Sequence, residues 1–181
     1  LTLAAVIGLM AQARIILPWT PVPITLQTMG VLLAAMLLGR NWGAVSVGLY
    51  LALGIAGVPW FIGSGSGMAH LAGPTGGYLV GFVLAALFLG YFTDKYVAAR
   101  RLGPLFALML FAGLVLVYVP GVLQLKLWMG QVLGNQISWG QALNMGVLPF
   151  IAGDLLKVAA ASGLGYVLAT RRPFGSEADR K

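Results

Sequence analysis

Apolar residues along this chain neither alternate with polar ones nor recur only every third or fourth position. They run on for the length of whole helices. Between Arg40 and Asp94 there is no Asp, Glu, Lys or Arg. A surface helix of a soluble domain needs a polar far side, and these stretches have none. Apolar runs approaching ~20 residues read as segments that lie in lipid. Dividing them at proline, glycine and charge predicts six spans: 1–17, 24–38, 42–57, 76–92, 104–125 and 146–169. The second is short for a crossing. Pro120 is expected to end or kink the fifth. The first span lacks an initiator Met, so the chain is expected to continue upstream.

Composition sharpens this picture. Of 181 residues, 60% are hydrophobic and 8% charged, against about 45–50% and about 25% in soluble domains. No polar linker divides the chain, so residues 1–170 read as one transmembrane domain and 171–181 as a tail. Cysteine is absent, which removes disulfides, thiolate metal sites and a cysteine nucleophile.

The net charge of +7 matters through its distribution. Arg40, Lys95, Arg100, Arg101, Arg171, Arg172, Arg180 and Lys181 fall on one side of the six spans. Arg14 and Lys126 fall on the other. Lys and Arg mark the cytoplasmic side. Both termini are therefore expected in the cytoplasm, which requires an even number of spans. The fold class is an all-α, multi-pass protein of the cell membrane, a bundle of six transmembrane helices with a cytoplasmic tail. Basic residues that set topology are not a nucleic-acid surface, so no nucleic-acid partner is expected. A signal peptide is a poor reading of the first span: no basic region precedes it and no small-x-small cleavage site follows.

Two charges break the sixth span. Asp154 and Lys157 sit three residues apart in an otherwise apolar stretch, on one helical face. A charge in hydrocarbon costs at least ~2.5 kcal/mol and marks either a site or a buried pair. Counted from Gly146, Asp154 lies roughly 12 Å deep and Lys157 roughly 17 Å, at 1.5 Å per residue. A purely structural ion pair is the competing reading.

The outer segments carry the other candidates. Pro18, Pro21 and Pro23 make a stiff first loop, followed by Thr25, Gln27 and Thr28 at the mouth of the second span. The second loop, 58–77, is glycine-rich and uncharged yet contains Trp60, Phe61 and Met68, as a lid folding back on the bundle would. Its Gly-Ser-Gly-Ser-Gly run lacks the Lys-Ser/Thr of a phosphate loop. His70, the one histidine, reads as an interfacial residue. The third segment, 126–145, is polar with Trp128 and Trp139 as an interfacial belt. In the first span, Ala4, Gly8 and Ala11 form a small-residue face that lets another helix approach closely, inside the bundle or from a partner.

Three motifs occur in order: Pro23-Ile-Thr-Leu-Gln-Thr28 with the following Leu38-Gly-Arg40, Gly73-Pro-Thr-Gly-Gly-Tyr-Leu-Val-Gly-Phe82, and Gly153-Asp-Leu-Leu-Lys157. Together they make the chain resemble, over nearly its whole length, the BioY family. These are the biotin-specific membrane subunits (S components) of energy-coupling-factor vitamin transporters. The resemblance implies six helices and high-affinity uptake of biotin from the outer face, with biotin as transported ligand rather than cofactor. It also implies a transmembrane coupling subunit and two ATPases as partners, and moves Ala4, Gly8 and Ala11 toward a partner-interface role. No nucleotide-binding motif is present, so transport energy would come from that partner.

On this reading Asp154 accepts from a ureido N–H and Lys157 donates to the ureido carbonyl, to the carboxylate, or only to Asp154. Gln27, Thr25 and Tyr78 complete the polar contacts, while Trp60, Tyr50 and Phe61 pack on the ring. Arg14 and Lys126 both stay open as partners of the carboxylate. The alternatives are an S component for riboflavin or thiamine, and an intramembrane enzyme. The enzyme reading finds one intramembrane acid, no nucleophile–base pair, and too few ligands for a metal.

Overall fold

Helix occupies each of the apolar runs, with ends that local backbone chemistry moves from the expected positions. The computed structural model describes residues 1–134 and 136–169. Asn135 and the expected tail 171–181, with its four basic residues, lie outside the described residues.

The first helix, α1 (Thr2–Gln12), stops short of the expected end at 17. Ile15 and Ile16 are β-branched, and Leu17 precedes a proline, which disfavours the helical region there. The chain instead forms a short antiparallel ribbon, β1 (Arg14–Ile15) with β2 (Ile24–Thr25), Arg14 facing Thr25 and Ile15 facing Ile24. The second and third runs then join in one bent helix, α2 (Gln27–Ile55). The bend is at Gly39, whose φ of 74° and ψ of −171° suit glycine alone. Asp94 Oδ2 accepts from the Arg40 N–H at 2.7 Å, and so caps the start of the second arm. A Cβ on residue 39 would fall 2.1 Å from Asp94 Oδ1.

The second outer loop holds a short helix, α3 (Met68–Ala72), and leads into α4 (Gly76–Lys95). After a 3₁₀ turn (Val97–Arg100), α5 (Leu102–Phe111) passes through a π turn (Ala112–Leu116) into α6 (Tyr118–Gln131). Pro120 neither ends this helix nor stops it at residue 125. A proline ring clashes with the carbonyl four residues earlier, here Leu116. The wider π turn ends at that residue and accommodates the clash. Gln124, Lys126 and Gln131 thus belong to α6, and the expected third outer segment begins inside that helix. The outer segment proper holds α7 (Trp139–Gly146), started by a Ser138–Gln141 capping box. The last helix, α8 (Ile151–Leu168), begins five residues after Gly146.

Four helical stretches are long and apolar enough to cross a membrane: α2, α4, the continuous Leu102–Gln131 and α8; α1 is a shorter apolar helix. α2 packs mainly on α4, which also carries α6; α1 lies on α2, and α8 on α5 and α2. Glycine sets the α4–α6 spacing. A Cβ on Gly77 would lie 2.1 Å from the Pro120 carbonyl oxygen, and one on Gly81 2.6 Å from the Val117 Cα. Backbone contact at this seam places Tyr78 and Tyr118 side by side.

The small-residue face of α1 turns inward within the chain. Ala4, Gly8 and Ala11 are buried inside the chain, and a Cβ on Gly8 would meet the Trp60 Cβ at 2.9 Å. This face packs on α2 and the loop carrying Trp60.

Candidate functional site

The opening of α8 builds the centre of the site. Asp154 sits in its first turn and Lys157 one turn deeper. With the helix starting at Ile151, Asp154 is only about 4.5 Å along the axis and Lys157 about 9 Å, at 1.5 Å per residue. That is shallower within the helix than a count from Gly146 suggests. The helix N-terminus favours an anion at this position. Both side chains are buried, at 4% and 8% exposure. Lys157 Nζ donates to Asp154 Oδ1 at 2.5 Å. Tyr118 of α6 donates its hydroxyl to Asp154 Oδ2.

A second polar group comes from the ribbon and α2. Thr25 Oγ1 donates to Gln27 Oε1 at 3.0 Å, and Gln27 Nε2 donates to the Tyr50 hydroxyl at 2.7 Å. Tyr78 of α4 donates to the Gly146 carbonyl at 2.8 Å, and its ring meets that of Tyr118 edge to face at 6.2 Å.

These groups line one cleft. Asp154, Lys157, Tyr118, Tyr78, Thr25, Gln27 and Thr28 provide its polar wall, while Val22, Ile62, Leu79, Phe82, Val117 and Phe150 provide most of the apolar remainder. Counting its open mouth, the cleft encloses about 490 Å³. A concave, mostly apolar recess with a few convergent polar groups is the usual form of a small-molecule site. The carboxylate, ammonium, hydroxyls and carboxamide together offer both donors and acceptors. They suit a neutral polar group carrying both kinds. Among the described residues no group of three His, Cys, Asp or Glu stands close enough to hold a metal.

The cleft brings together five of the eight expected ligand-binding residues: Asp154, Lys157, Gln27, Thr25 and Tyr78. Tyr50, Trp60 and Phe61 lie outside it. Tyr50 and Phe61 are buried behind the cleft, edge to face at 5.4 Å. Trp60 donates from Nε1 to the Tyr50 carbonyl at 2.9 Å and tilts against the Tyr50 ring at 5.5 Å. Of the loop, Ile62 and Thr75 reach the cleft. The three aromatic residues anchor that loop, helped by Gln12, whose Nε2 donates to the Trp60 and Phe61 carbonyls and whose Oε1 accepts from the Ser64 N–H. His70 sits half-buried with its ring 5.5 Å from that of Phe61.

Of the residues that bond to Asp154, Tyr118 is the one that sequence reasoning missed. Its signal was available: a hydroxyl in a run, 105–123, with no other polar side chain. The apolar lining residues carry no such mark, since every span is built of the same side chains.

Three comparisons with known proteins bear on this site. A family model described as the BioY family matches residues 1–174. The chain is 43% identical over 147 residues to "Probable biotin transporter BioY" of Methanothermobacter thermautotrophicus, covering 81% of this chain and 94% of that protein. It is 34% identical over 183 residues to "Biotin transporter BioY" of Rhodobacter capsulatus, covering 92% and 93%. Among solved structures it resembles the S-component for biotin from an ECF-type ABC transporter, with a TM-score of 0.81 and 29% identity over 92% of this chain and 86% of that one.

Proposed function

The chain belongs to the BioY family, and from that membership and the cleft at the start of α8 we propose that it captures biotin at the outer face of the cell membrane as the substrate-binding subunit of a vitamin transporter. It works as a transporter subunit and not as an enzyme. The observation that carries the reading is the buried Asp154–Lys157–Tyr118 cluster at the wall of an otherwise apolar cleft. Biotin's ureido group has two N–H donors and one carbonyl. Asp154 accepts from an N–H, Lys157 and Gln27 donate to the carbonyl, and Tyr78, Leu79, Phe82 and Phe150 enclose the fused rings. The low dielectric of the cleft strengthens each of these contacts and makes an unmatched ligand costly.

The membrane arrangement belongs to the same proposal. Six crossings are α1, the two arms of α2, α4, the α5–α6 rod and α8, with both termini in the cytoplasm. α1 and the arms of α2 are shorter than the ~20 residues of a perpendicular span, which calls for a locally thinned bilayer. A transmembrane coupling subunit and an ATPase pair of the energy-coupling-factor type supply the energy.

Mass spectrometry of the chain, purified after expression in biotin-containing medium, tests the reading. Co-purified biotin is expected. Riboflavin or thiamine in its place would redirect the specificity. No vitamin, together with no biotin binding by calorimetry, would overturn it.

A further inference from the structure

A second cavity adjoins the cleft on the loop side, and it differs in charge. It is lined by Arg14, Ile16, Thr20, Pro21, Pro23, Ile62, Ala69, His70, Gly73, Pro74 and Thr75. Pro23, Ile62 and Thr75 line both spaces, so they form the partition between them. The acids among the described residues are Asp94 and Asp154, and neither lines this outer cavity. Arg14 therefore gives it a positive potential.

The backbone fixes Arg14 to the wall of the cleft. In the β1–β2 ribbon Arg14 is the direct partner of Thr25. Directly paired residues project from the same face of an antiparallel ribbon, with Cβ atoms about 4.5–5.5 Å apart. Thr25 lines the cleft and Arg14 lines the outer cavity, so this one pair straddles the two. The guanidinium also lies against the loop at Gly63, where φ is +75° and a Cβ would fall 2.0 Å from Nη1. Ile62, the next residue back, is part of the partition.

Lys126, the other cation on this side of the chain, is engaged elsewhere. Its Nζ donates to the Ile137 carbonyl at 2.5 Å and lies 5.2 Å from the centroid of the Trp139 ring. It lines neither cavity.

Resting on the biotin reading above, we propose that the outer cavity is the subsite for the ligand's carboxylate, with Arg14 as its positioning cation, so that biotin lies ring-inward and tail-outward. Charge decides this orientation. A carboxylate placed in the cleft would face Asp154, and like charges close together in a low dielectric repel strongly. The ammonium that could offset that repulsion is already paired with Asp154. In the outer cavity the tail meets a guanidinium whose fork matches a carboxylate. The neutral ureido ring meets the donors and acceptors of the inner wall.

The test compares biotin with biotin amide, whose tail is uncharged, by calorimetry on the purified full-length chain. The wild-type chain is expected to prefer biotin. Arg14→Gln should weaken biotin about fivefold, the scale of a partly exposed charge pair, and leave biotin amide unchanged. Arg14→Lys should keep most of the preference, and Lys126→Gln should keep all of it. An Arg14→Gln chain that binds both ligands as before, or loses both equally, would overturn the subsite. So would loss of the preference in Lys126→Gln. A wild-type chain that binds neither ligand would instead overturn the biotin reading itself.

Discussion

Asp154 and Lys157 pose a question that single substitutions cannot answer, because each side chain compensates the other. Asp154→Asn keeps the shape and an acceptor oxygen but removes the charge. It is expected to weaken biotin by about 1.5–3 kcal/mol, the range for a hydrogen bond to a charged group. Lys157→Met alone leaves the buried carboxylate with only the Tyr118 hydroxyl, and should cost stability on the scale of a broken buried pair, ~3–5 kcal/mol. The Asp154→Asn, Lys157→Met double variant is expected to recover folding but not binding, read by thermal unfolding and calorimetry on the same samples. A double variant that binds biotin with near-native affinity would make the pair purely structural. At this scale the sequence was informative wherever a polar group interrupted an apolar run. That marked Asp154, Lys157, Gln27 and Thr25. It failed for Tyr50, Trp60 and Phe61, because an aromatic residue near a span end can point into a cleft or behind it. The hydrogen bonds of Gln27 to the Tyr50 hydroxyl and of Trp60 to the Tyr50 carbonyl arise only when the chain is folded.

Elements explain why the small-residue stripe of α1 was legible but its partner was not. Ala4, Gly8 and Ala11 state that some backbone or ring comes close. They do not state whose. The structure assigns the neighbours to α2 and Trp60, within the same chain. Gly8→Leu is therefore expected to overpack this seam at about 1–3 kcal/mol, lowering the unfolding temperature and weakening biotin together, since the displaced loop carries Ile62. Leu9→Ala, on the opposite face at 73% exposure, should change neither. A Gly8→Leu chain with unaltered stability and binding would contradict the packing. The bend in α2 follows a similar logic. Gly39 could be read as a break between two runs, but the cap on the second arm comes from Asp94, over fifty residues later, and no local pattern announces it. Asp94→Ala should cost about 0.5–2 kcal/mol, as loss of a helix cap does, with biotin affinity preserved because the bend lies at the far end from the cleft. Equal stability in thermal unfolding would show that the bend holds without its cap.

Across the whole molecule, charge and cavities divide between two ends. Leu38, Gly39, Thr93, Asp94, Arg100 and Leu168 line a common recess, with Arg40, Lys95 and Arg101 nearby in sequence. The cleft and its outer cavity lie at the opposite end, where the described cations are Arg14 and Lys126, apart from the paired Lys157. If the basic end faces the cytoplasm, the cleft opens to the outside, as uptake requires. The absence of cysteine makes this directly measurable, because any cysteine introduced is a unique label site. Ser64→Cys, exposed on the loop beside the outer cavity, is expected to react with a membrane-impermeant maleimide in intact cells. Arg101→Cys, exposed at the basic end, should react only after the membrane is permeabilised. A reporter fused after Lys181 should respond as cytoplasmic. The reverse labelling pattern would invert the molecule and leave the cleft unable to capture a ligand from outside. Correct labelling with an external reporter would instead mean an odd number of crossings between the basic turn at 97–101 and the end of the chain, and would remove either the α5–α6 rod or α8 from the count of spans.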